Sequence, residues 1–270
     1  MRPIPVAFHI WFLEVHTYGI GLALTFWFGL RYTERRLRKA GYPWQWVTGM
    51  FVWVIIAAIV GARALHVVSM WSYYTHNPGQ IIAIWQGGLS SFGGILFAVP
   101  VALVSARRRC PQLPLLRFAD LMAPVLMACW GIGRLLGPQL MVAGGGRPTN
   151  AWYGMYYAGE VGKRVPVPIF QSIDDWVIFA VVVFLDRRWH HKGDVPNGAV
   201  LSIATALWGL SRFFEEKVWL AAPGQPGDLA VEAAGLALFV LGLAGAGFAW
   251  RRQLRRVKHP GNAAPQPLSR

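Results

Sequence analysis

Residues 48–70 have the sequence TGMFVWVIIAAIVGARALHVVSM, an almost unbroken apolar run. A helix needs about 20 mostly apolar residues to cross the hydrocarbon core of a bilayer. Arg63 and His66 are the only ionisable side chains in the run, and both lie towards its C-terminal end. The stretch therefore predicts a membrane-spanning helix with a polar feature near one end.

Six other stretches have a similar length and character. The chain is 55% hydrophobic and only 14% charged, against roughly 25% charged residues in soluble domains, so a soluble domain is excluded. We predict an all-α, polytopic membrane protein, with one seven-helix domain over residues 1–258 and a disordered tail over 259–270. The expected spans are residues 10–30, 48–70, 88–106, 117–136, 168–186, 197–214 and 229–250.

The basic residues are unevenly distributed between the predicted loops. Seventeen follow spans one, three, five and seven, whereas the connections on the other side contain five. Loops rich in Lys and Arg remain in the cytoplasm, so the N-terminus is predicted outside and the C-terminus inside. The same clustering argues against a nucleic-acid partner despite the net charge of +14, because the cations do not form one soluble face.

The connections predicted outside the cell have distinctive compositions. Residues 71–87 contain aromatic and aliphatic side chains but no Lys or Arg, which predicts a short helix in the membrane interface. Residues 137–166 form a long Gly-rich connection, and a loop of this length is either functional or a flexible connector.

The remaining composition supplies few candidates for cofactor or metal chemistry. The two cysteines, Cys110 and Cys129, do not form a C-x-x-C or His/Cys pattern, so neither a disulfide framework nor a zinc site is predicted. We expect no metal and no cofactor. The first apolar run lacks a basic n-region and an A-x-A site, so no cleaved signal peptide is expected.

Charged side chains inside predicted spans are the candidate functional residues, because an unpaired charge in the hydrocarbon core is costly. Arg212 and Glu216 are four residues apart and share a helix face. Either they form a local ion pair that anchors the end of span six, or Arg212 faces a cavity and Glu216 holds its guanidinium. The large number of ionisable residues in the spans predicts a polar cavity within the bundle. The ionisable residues in or near spans are Glu14, His16, Arg63, His66, Asp120, Arg134, Asp174, Asp175, Arg212, Glu215 and Glu216.

Arg134 has no acidic residue three or four positions away. Its partner is expected to be Asp120, an acidic residue on span five, or an anionic ligand. A guanidinium binds two phosphate oxygens at once, so arginines near the outer ends of spans four and six suit a phospholipid headgroup. Asp120 is also placed to favour the N-terminus of its own span, and His16 in span one to form a helix–helix hydrogen bond.

Seven short motifs follow one another along the chain. Residues 131–135 are GIGRL, and residues 208–212 are WGLSR, followed by Glu216. In this order the motifs resemble those of the prolipoprotein diacylglyceryl transferases of bacterial inner membranes, including G-x-G-R-x-G-N-x-x-N and Y-G-x-x-R-x-x-x-E. The other five are VHTYG at 15–19, GAR at 61–63, WQGGLSSFGG at 85–94, FADLMAP at 118–124 and VPVPIFQS at 165–172.

The resemblance implies a function and a site. Enzymes of this family move a diacylglyceryl group from phosphatidylglycerol to the lipobox cysteine thiol of a lipoprotein precursor, and they have seven spans with the N-terminus outside. It implies catalytic roles for Arg134, Arg212 and Glu216. It also implies a bacterial inner-membrane location, with phosphatidylglycerol or another anionic phospholipid and a lipoprotein signal peptide as partners. The implied substrate-binding residues are Tyr18, His16, Gly93, Gly94 and Gln171.

The chain departs from the family pattern at several polar positions. Phe92 stands where the W-x-G-G-x-S-x-H-G-G motif has its histidine, and residues 136–140, LGPQL, lack the asparagines of the signature. Val165, Phe170 and Gln171 replace the His, Tyr and Glu of H-P-x-P-L-Y-E-S. Glu216, Glu14 and His16 are alternative proton acceptors for a thiol.

Two functions therefore remain open. One is a divergent lipid-group transferase. The other is a non-catalytic or repurposed paralogue that binds an anionic phospholipid or serves a different acceptor. A transporter is disfavoured, because the chain shows no repeat and no paired broken helices.

Overall fold

The computed structural model describes residues 7–10, 13–83, 88–137, 144–157, 159–190, 196–221 and 227–258. Helices dominate these ranges. Between them lie a one-and-a-half-turn helix, α3, a 3-10 helix at Pro78–Ile82 and a π-helical turn at Glu216–Leu220. The seven long helices are α1 (Thr17–Lys39), α2 (Val47–Ser69), α4 (Ser91–Arg109), α5 (Leu115–Leu136), α6 (Val167–His190), α7 (Ala199–Glu215) and α8 (Leu229–Lys258), with α3 at Trp71–His76.

A β-hairpin that the sequence did not predict precedes α1. Strand β1 (Ala7–Ile10) pairs antiparallel with β2 (Leu13–His16). The predicted first span at residues 10–30 is therefore wrong at its start, and His16 ends a strand instead of lying inside a helix. A short apolar run is compatible with a strand or a buried helix, because periodicity alone does not separate them. The predicted all-α fold did not include this hairpin.

Helix α1 also extends further than predicted. It continues to Lys39, so the five basic residues expected in a loop after residue 30 lie within its last turns. Cations are favourable there, because the carbonyl groups at a helix C-terminus carry partial negative charge. The predicted tail at residues 259–270 lies outside the described residues.

Within the described residues, four helices are long and apolar enough to cross a membrane: α2, α5, Val167–Arg188 of α6 and Leu229–Arg255 of α8. Large apolar side chains on the outer helix faces are exposed, among them Trp53 of α2, Leu96 of α4 and Leu241 of α8. Such surfaces are rare on soluble monomers, and they suit contact with lipid. The seven crossings and their orientation remain predictions.

The chain divides into two compact units, residues 30–118 and residues 1–29 with 119–270. In the first unit, α2 and α4 meet backbone to backbone. A Cβ added at Gly61 would overlap the carbonyl oxygen of Gly93 and the ring of Phe97. Small residues allow helices to approach this closely in membranes. Gly93 is thus committed to helix packing, and Gly94 faces the Ala58 carbonyl oxygen across the same contact.

Arg63 anchors the connection between α2 and α4. Its guanidinium donates to the carbonyl oxygens of Ile81 at 2.8 Å and Gly88 at 3.0 Å, and also to that of Gln80. The same group lies 5.3 Å from the centre of the Tyr74 ring. The predicted short helix in residues 71–87 is observed as α3 and the following 3-10 helix. A charge in span two is therefore explained by backbone carbonyl groups that the connection presents to it.

In the second unit, α6, α7 and α8 pack side by side, with α5 against them. Backbones approach closely at Gly209 of α7 and Gly235 of α8. Asp120 accepts hydrogen bonds from the N–H groups of Gly198 at 2.7 Å and Leu201 at 2.9 Å. It therefore caps the N-terminus of α7 and not that of its own helix. The apolar core beside it consists of Ala123, Ile178, Val182, Val200 and Ala204.

Candidate functional site

A carboxylate at the end of α7 connects two helices. Glu215 Oε2 accepts a hydrogen bond from Gln171 Nε2 of α6 at 2.7 Å, and Arg212 Nη1 donates to the same oxygen at 2.9 Å. Gln171 and Glu215 are 5% and 7% exposed. A buried charge is tolerated when it is paired and hydrogen-bonded, and this carboxylate meets both conditions. Glu215 therefore fixes the guanidinium of Arg212 relative to α6.

Glu216 is the second carboxylate near Arg212, at a greater distance. Arg212 Nη2 lies 3.6 Å from Glu216 Oε2, so the predicted ion pair exists but is longer than the pair with Glu215. Glu216 Oε1 accepts a hydrogen bond from the N–H of Asp228, just before α8. Glu216 thus links the end of α7 to the start of α8 while contributing negative charge beside Arg212.

The chain widens into a π-helical turn where these carboxylates lie. The N–H of Ala221 donates to the carbonyl oxygen of Glu216 at 2.8 Å, five residues back. Turns of this kind occur often at functional sites, because the wider turn redirects side chains. Here the turn begins at Glu216, immediately after Glu215, where both carboxylates flank one guanidinium.

A groove between α6 and α7 borders this cluster. Its volume is about 380 Å³, and it is lined mainly by apolar side chains together with Asp174, Ser211 and Glu215. The hydroxyl of Ser211 lies 3.1 Å from Asp174 Oδ2 and 3.0 Å from Glu215 Oε1. The groove therefore has a polar end formed by two carboxylates and a hydroxyl, and an apolar remainder.

Arg134 of α5 belongs to the same electrostatic cluster. The charged groups near it are Asp175, Glu215 and Arg212. Asp175, one of the acidic residues of span five considered as its partner, is 3% exposed. Among the described residues, neither Arg134 Nε nor Asp175 Oδ2 has a hydrogen-bond partner. Glu215 is thus common to the surroundings of both guanidinium groups. Asp120, the other acidic partner considered, is engaged at the N-terminus of α7.

The loop after α5 folds against this end of α6 and α7. The N–H of Arg147 donates to the carbonyl oxygen of Trp219, and Thr149 pairs with Lys163 through their backbones. Burial, followed by the nearby Glu160 carboxylate, raises the pKa of Tyr157 to about 12. Residues 144–157 and 159–166 are therefore folded against the ends of α6 and α7 and do not form an open connector.

The other residues considered for the site lie in several different elements of the chain. Tyr18 is the second residue of α1 and His16 the last of β2, and their side chains lie outside the described part of the chain. Phe92, at the position of the family histidine, is 82% exposed. Phe170, in the place of a tyrosine, lies between the rings of Tyr153 and Trp219, with ring centres 5.7 Å and 5.0 Å away.

Sequence reasoning named Glu215 and Asp174 among the charged candidates in the spans but gave them no role in the site, and it missed Ser211. The spacing of Glu215 from Arg212, three residues, also places them on one helix face, so this signal was present. The contacts of Asp174 and Gln171 with α7 span 37 and 44 residues of sequence, and nothing local predicts them. Within the described ranges, no three His, Cys, Asp or Glu side chains are grouped in a way that would hold a metal ion.

The fold and the cluster define a multi-pass membrane protein with a buried guanidinium–carboxylate site. Residues 5–249 match the family described as prolipoprotein diacylglyceryl transferase. The chain belongs to this family, whose members are diacylglyceryl transferases.

Relatives in several bacteria carry the name phosphatidylglycerol–prolipoprotein diacylglyceryl transferase. The Finegoldia magna protein is 31% identical over 78% of this chain and 82% of its own length. The Lactiplantibacillus plantarum protein is 29% identical over 78% of this chain and 77% of its own length. The Limosilactobacillus reuteri protein is 30% identical over 78% of each chain. The similarity thus covers most of the chain, including both arginine motifs.

Proposed function

We propose that this protein transfers a diacylglyceryl group from phosphatidylglycerol, or another anionic phospholipid, to a cysteine thiol in the signal peptide of a lipoprotein precursor. Membership of the family and the names of the relatives support this proposal. The single observation that carries it within the chain is the cluster at the C-terminal end of α7, where Arg212 pairs with Glu215 and Glu216 while Glu215 also acts electrostatically on Arg134.

The reaction requires stabilisation of a leaving phosphate. The acceptor thiolate attacks the glyceryl carbon that bears the phosphate ester oxygen, a C–S bond forms and the C–O bond breaks. Glycerol phosphate leaves with the electron pair. Positive groups placed before the reaction stabilise this developing charge. Arg134 and Arg212 are the proposed donors to the phosphate, and Glu215 and Glu216 orient the guanidinium of Arg212.

The acceptor thiol must also lose a proton, because the thiolate is the nucleophile. Phe92 has no group that accepts a proton. Asp174 is the proposed acceptor: it lines the groove, and Ser211 contacts only one of its oxygens among the described residues. Glu216 is less suited, since its two oxygens face the N–H of Asp228 and the guanidinium of Arg212.

Replacing Asp174 by Asn tests this assignment through the pH profile. A base contributes typically 10²–10⁴-fold, so the variant is expected to lose about 100-fold in rate near neutral pH. The loss should shrink above the usual thiol pKa of about 8.5, where the acceptor ionises unaided. Asp186→Asn, the same exchange about three turns further along α6, is the matched control. A pH-independent loss would assign Asp174 a structural role.

Complementation tests the proposed function in a cell. A bacterium depleted of its own diacylglyceryl transferase would express this chain, Arg134→Ala or Arg212→Ala, with membrane levels checked for each. The wild type is expected to restore growth and both variants to fail. If a relative with the complete motifs rescues the strain while equally abundant wild-type protein does not, the proposed reaction is contradicted for that substrate set.

The exposed phenyl ring at Phe92 favours one alternative, a paralogue that binds an anionic phospholipid without transferring its diacylglyceryl group. Val165 is also buried, where the family motif has a histidine. This alternative predicts phosphatidylglycerol binding that depends on Arg134 and Arg212 but yields no thioether product from any lipobox peptide.

A further inference from the structure

Helices α2 and α4 border a groove beside their contact. They are in backbone contact at Gly61 and Gly93, whereas a Cβ added at Gly49 of α2 would meet no atom within 4 Å. Pro100 lies inside α4, beyond the contact. The groove runs from Pro100 towards the C-terminal end of α4, with Gly49 on its opposite wall.

This groove has a volume of about 780 Å³, within the roughly 300–1,000 Å³ of typical small-molecule sites. Its walls are apolar over most of their length, and Trp53, Ile56 and Val60 of α2 are exposed along it. The ten steps from Met50 to Val60, at 1.5 Å each, extend about 15 Å. That matches half of the roughly 30 Å hydrocarbon core, the depth of one leaflet.

The end of the groove next to the C-terminus of α4 is cationic. Arg108 and Arg109 line it together with Gln45 and Trp46, and both arginines are exposed. No carboxylate among the described residues lies within ion-pair distance of either. The sequence of the unit, residues 30–118, contains ten basic residues and a single acidic one, Glu34. Glu34 is already engaged with Arg31 at 3.1 Å and Thr48 at 3.3 Å, so an anion for Arg108 and Arg109 must come from outside the unit.

We propose that this groove binds one anionic phospholipid, with a phosphate at Arg108 and Arg109 and an acyl chain along Trp53, Ile56 and Val60. The loop charges predict that this end faces the cytoplasm, so the lipid would come from the cytoplasmic leaflet. Anionic headgroups are attracted to basic clusters beside membrane helices. The site does not depend on the proposed transfer reaction, whose residues belong to the other unit.

Native mass spectrometry of the full chain in detergent tests the proposal. All samples carry Arg134→Ala and Arg212→Ala, so that lipid at the proposed substrate site does not contribute. Phosphatidylglycerol is titrated against phosphatidylethanolamine. Arg108→Gln with Arg109→Gln is expected to lower phosphatidylglycerol retention about tenfold. Arg107→Gln, which removes one charge next to the groove without lining it, is compared with Arg108→Gln alone and should change retention less than twofold.

A second variant separates the groove from surface charge. Ala57→Phe fills the apolar wall without altering any charge and is expected to lower retention by a similar factor, with unchanged elution in size-exclusion chromatography. Equal retention of both lipids would overturn the proposal. Equal losses in Arg107→Gln and the double variant, or a dimer that excludes lipid from this face, would also overturn it.

Discussion

At the scale of single residues, Arg212 is defined by the carboxylates around it. Glu215 lies 2.9 Å away and Glu216 3.6 Å away, and among the described residues only Glu215 also receives a hydrogen bond from α6. A guanidinium that must meet a phosphate needs a fixed orientation, since misplacement by about 1 Å can reduce a rate roughly 100-fold. Glu215 is therefore the carboxylate on which the position of Arg212 depends most.

Glu215→Gln is expected to reduce the transfer rate about 100-fold, because the amide removes the charge that holds Arg212. Glu216→Gln should reduce it less, since its amide oxygen still accepts the Asp228 N–H. Rates measured over a range of phosphatidylglycerol concentrations check this order. A larger loss in Glu216→Gln would show that the longer ion pair is the more important one.

Gln171→Glu would place two carboxylates against each other where a 2.7 Å hydrogen bond now joins Gln171 to Glu215. We expect a lower melting temperature and a less fixed orientation of the Arg212 guanidinium. In Gln171→Glu with Glu215→Gln the repulsion is relieved and a hydrogen bond forms in the opposite sense. Groups in direct contact couple by about 0.5–3 kcal/mol, so thermal unfolding of both single variants and the double variant should be non-additive. Additive effects would mean that the two side chains act independently.

At the scale of elements, the sequence predicted the helices better than their contacts. Six of the seven long helices begin within three residues of the predicted spans, since apolar length alone reveals them. The hairpin before α1 was missed because its strands have only four residues each and continue directly into the apolar stretch of the first span. The partner of Asp120 was also missed, because the helix that it caps begins 79 residues later. Residue type and motif order identified Arg134 and Arg212 as site candidates. Which carboxylates surround each arginine depends on the packing of α5, α6 and α7.

The packing of α2 on α4 makes a matched glycine comparison possible. Gly61→Ala is expected to lower the free energy of unfolding by about 1–3 kcal/mol, because the added methyl overlaps backbone and a phenyl ring. Gly49→Ala, on the same helix in open space, should raise it by about 0.4–1 kcal/mol through its effect on the unfolded chain. Denaturation in a single detergent compares them. Equal responses would contradict the backbone contact at Gly61.

At the scale of the whole molecule, the distribution of charge predicts the topology. Basic clusters follow alternate helices, and the loop over residues 144–166 lies on the side predicted to be external. The site at the ends of α6 and α7 next to this loop would then face the outer leaflet. This arrangement suits a reaction in which both the lipid and the precursor peptide are reached from outside.

Cysteine labelling tests this topology. With Cys110 and Cys129 replaced by Ser, Trp152→Cys, at a position 92% exposed, should react with an impermeant maleimide added to intact cells. Gln112→Cys, exposed in the connection between α4 and α5, should react only after the membrane is opened. The reverse pattern would invert the predicted orientation.

The most direct test of the central claim is a transfer assay with the purified full chain, phosphatidylglycerol and a lipobox peptide. We expect a peptide carrying thioether-linked diacylglycerol, released together with glycerol phosphate. Arg134→Ala and Arg212→Ala should each lower its rate by about 10²–10³-fold. Folded wild-type protein that binds phosphatidylglycerol but forms no thioether with any lipobox peptide would contradict the claim.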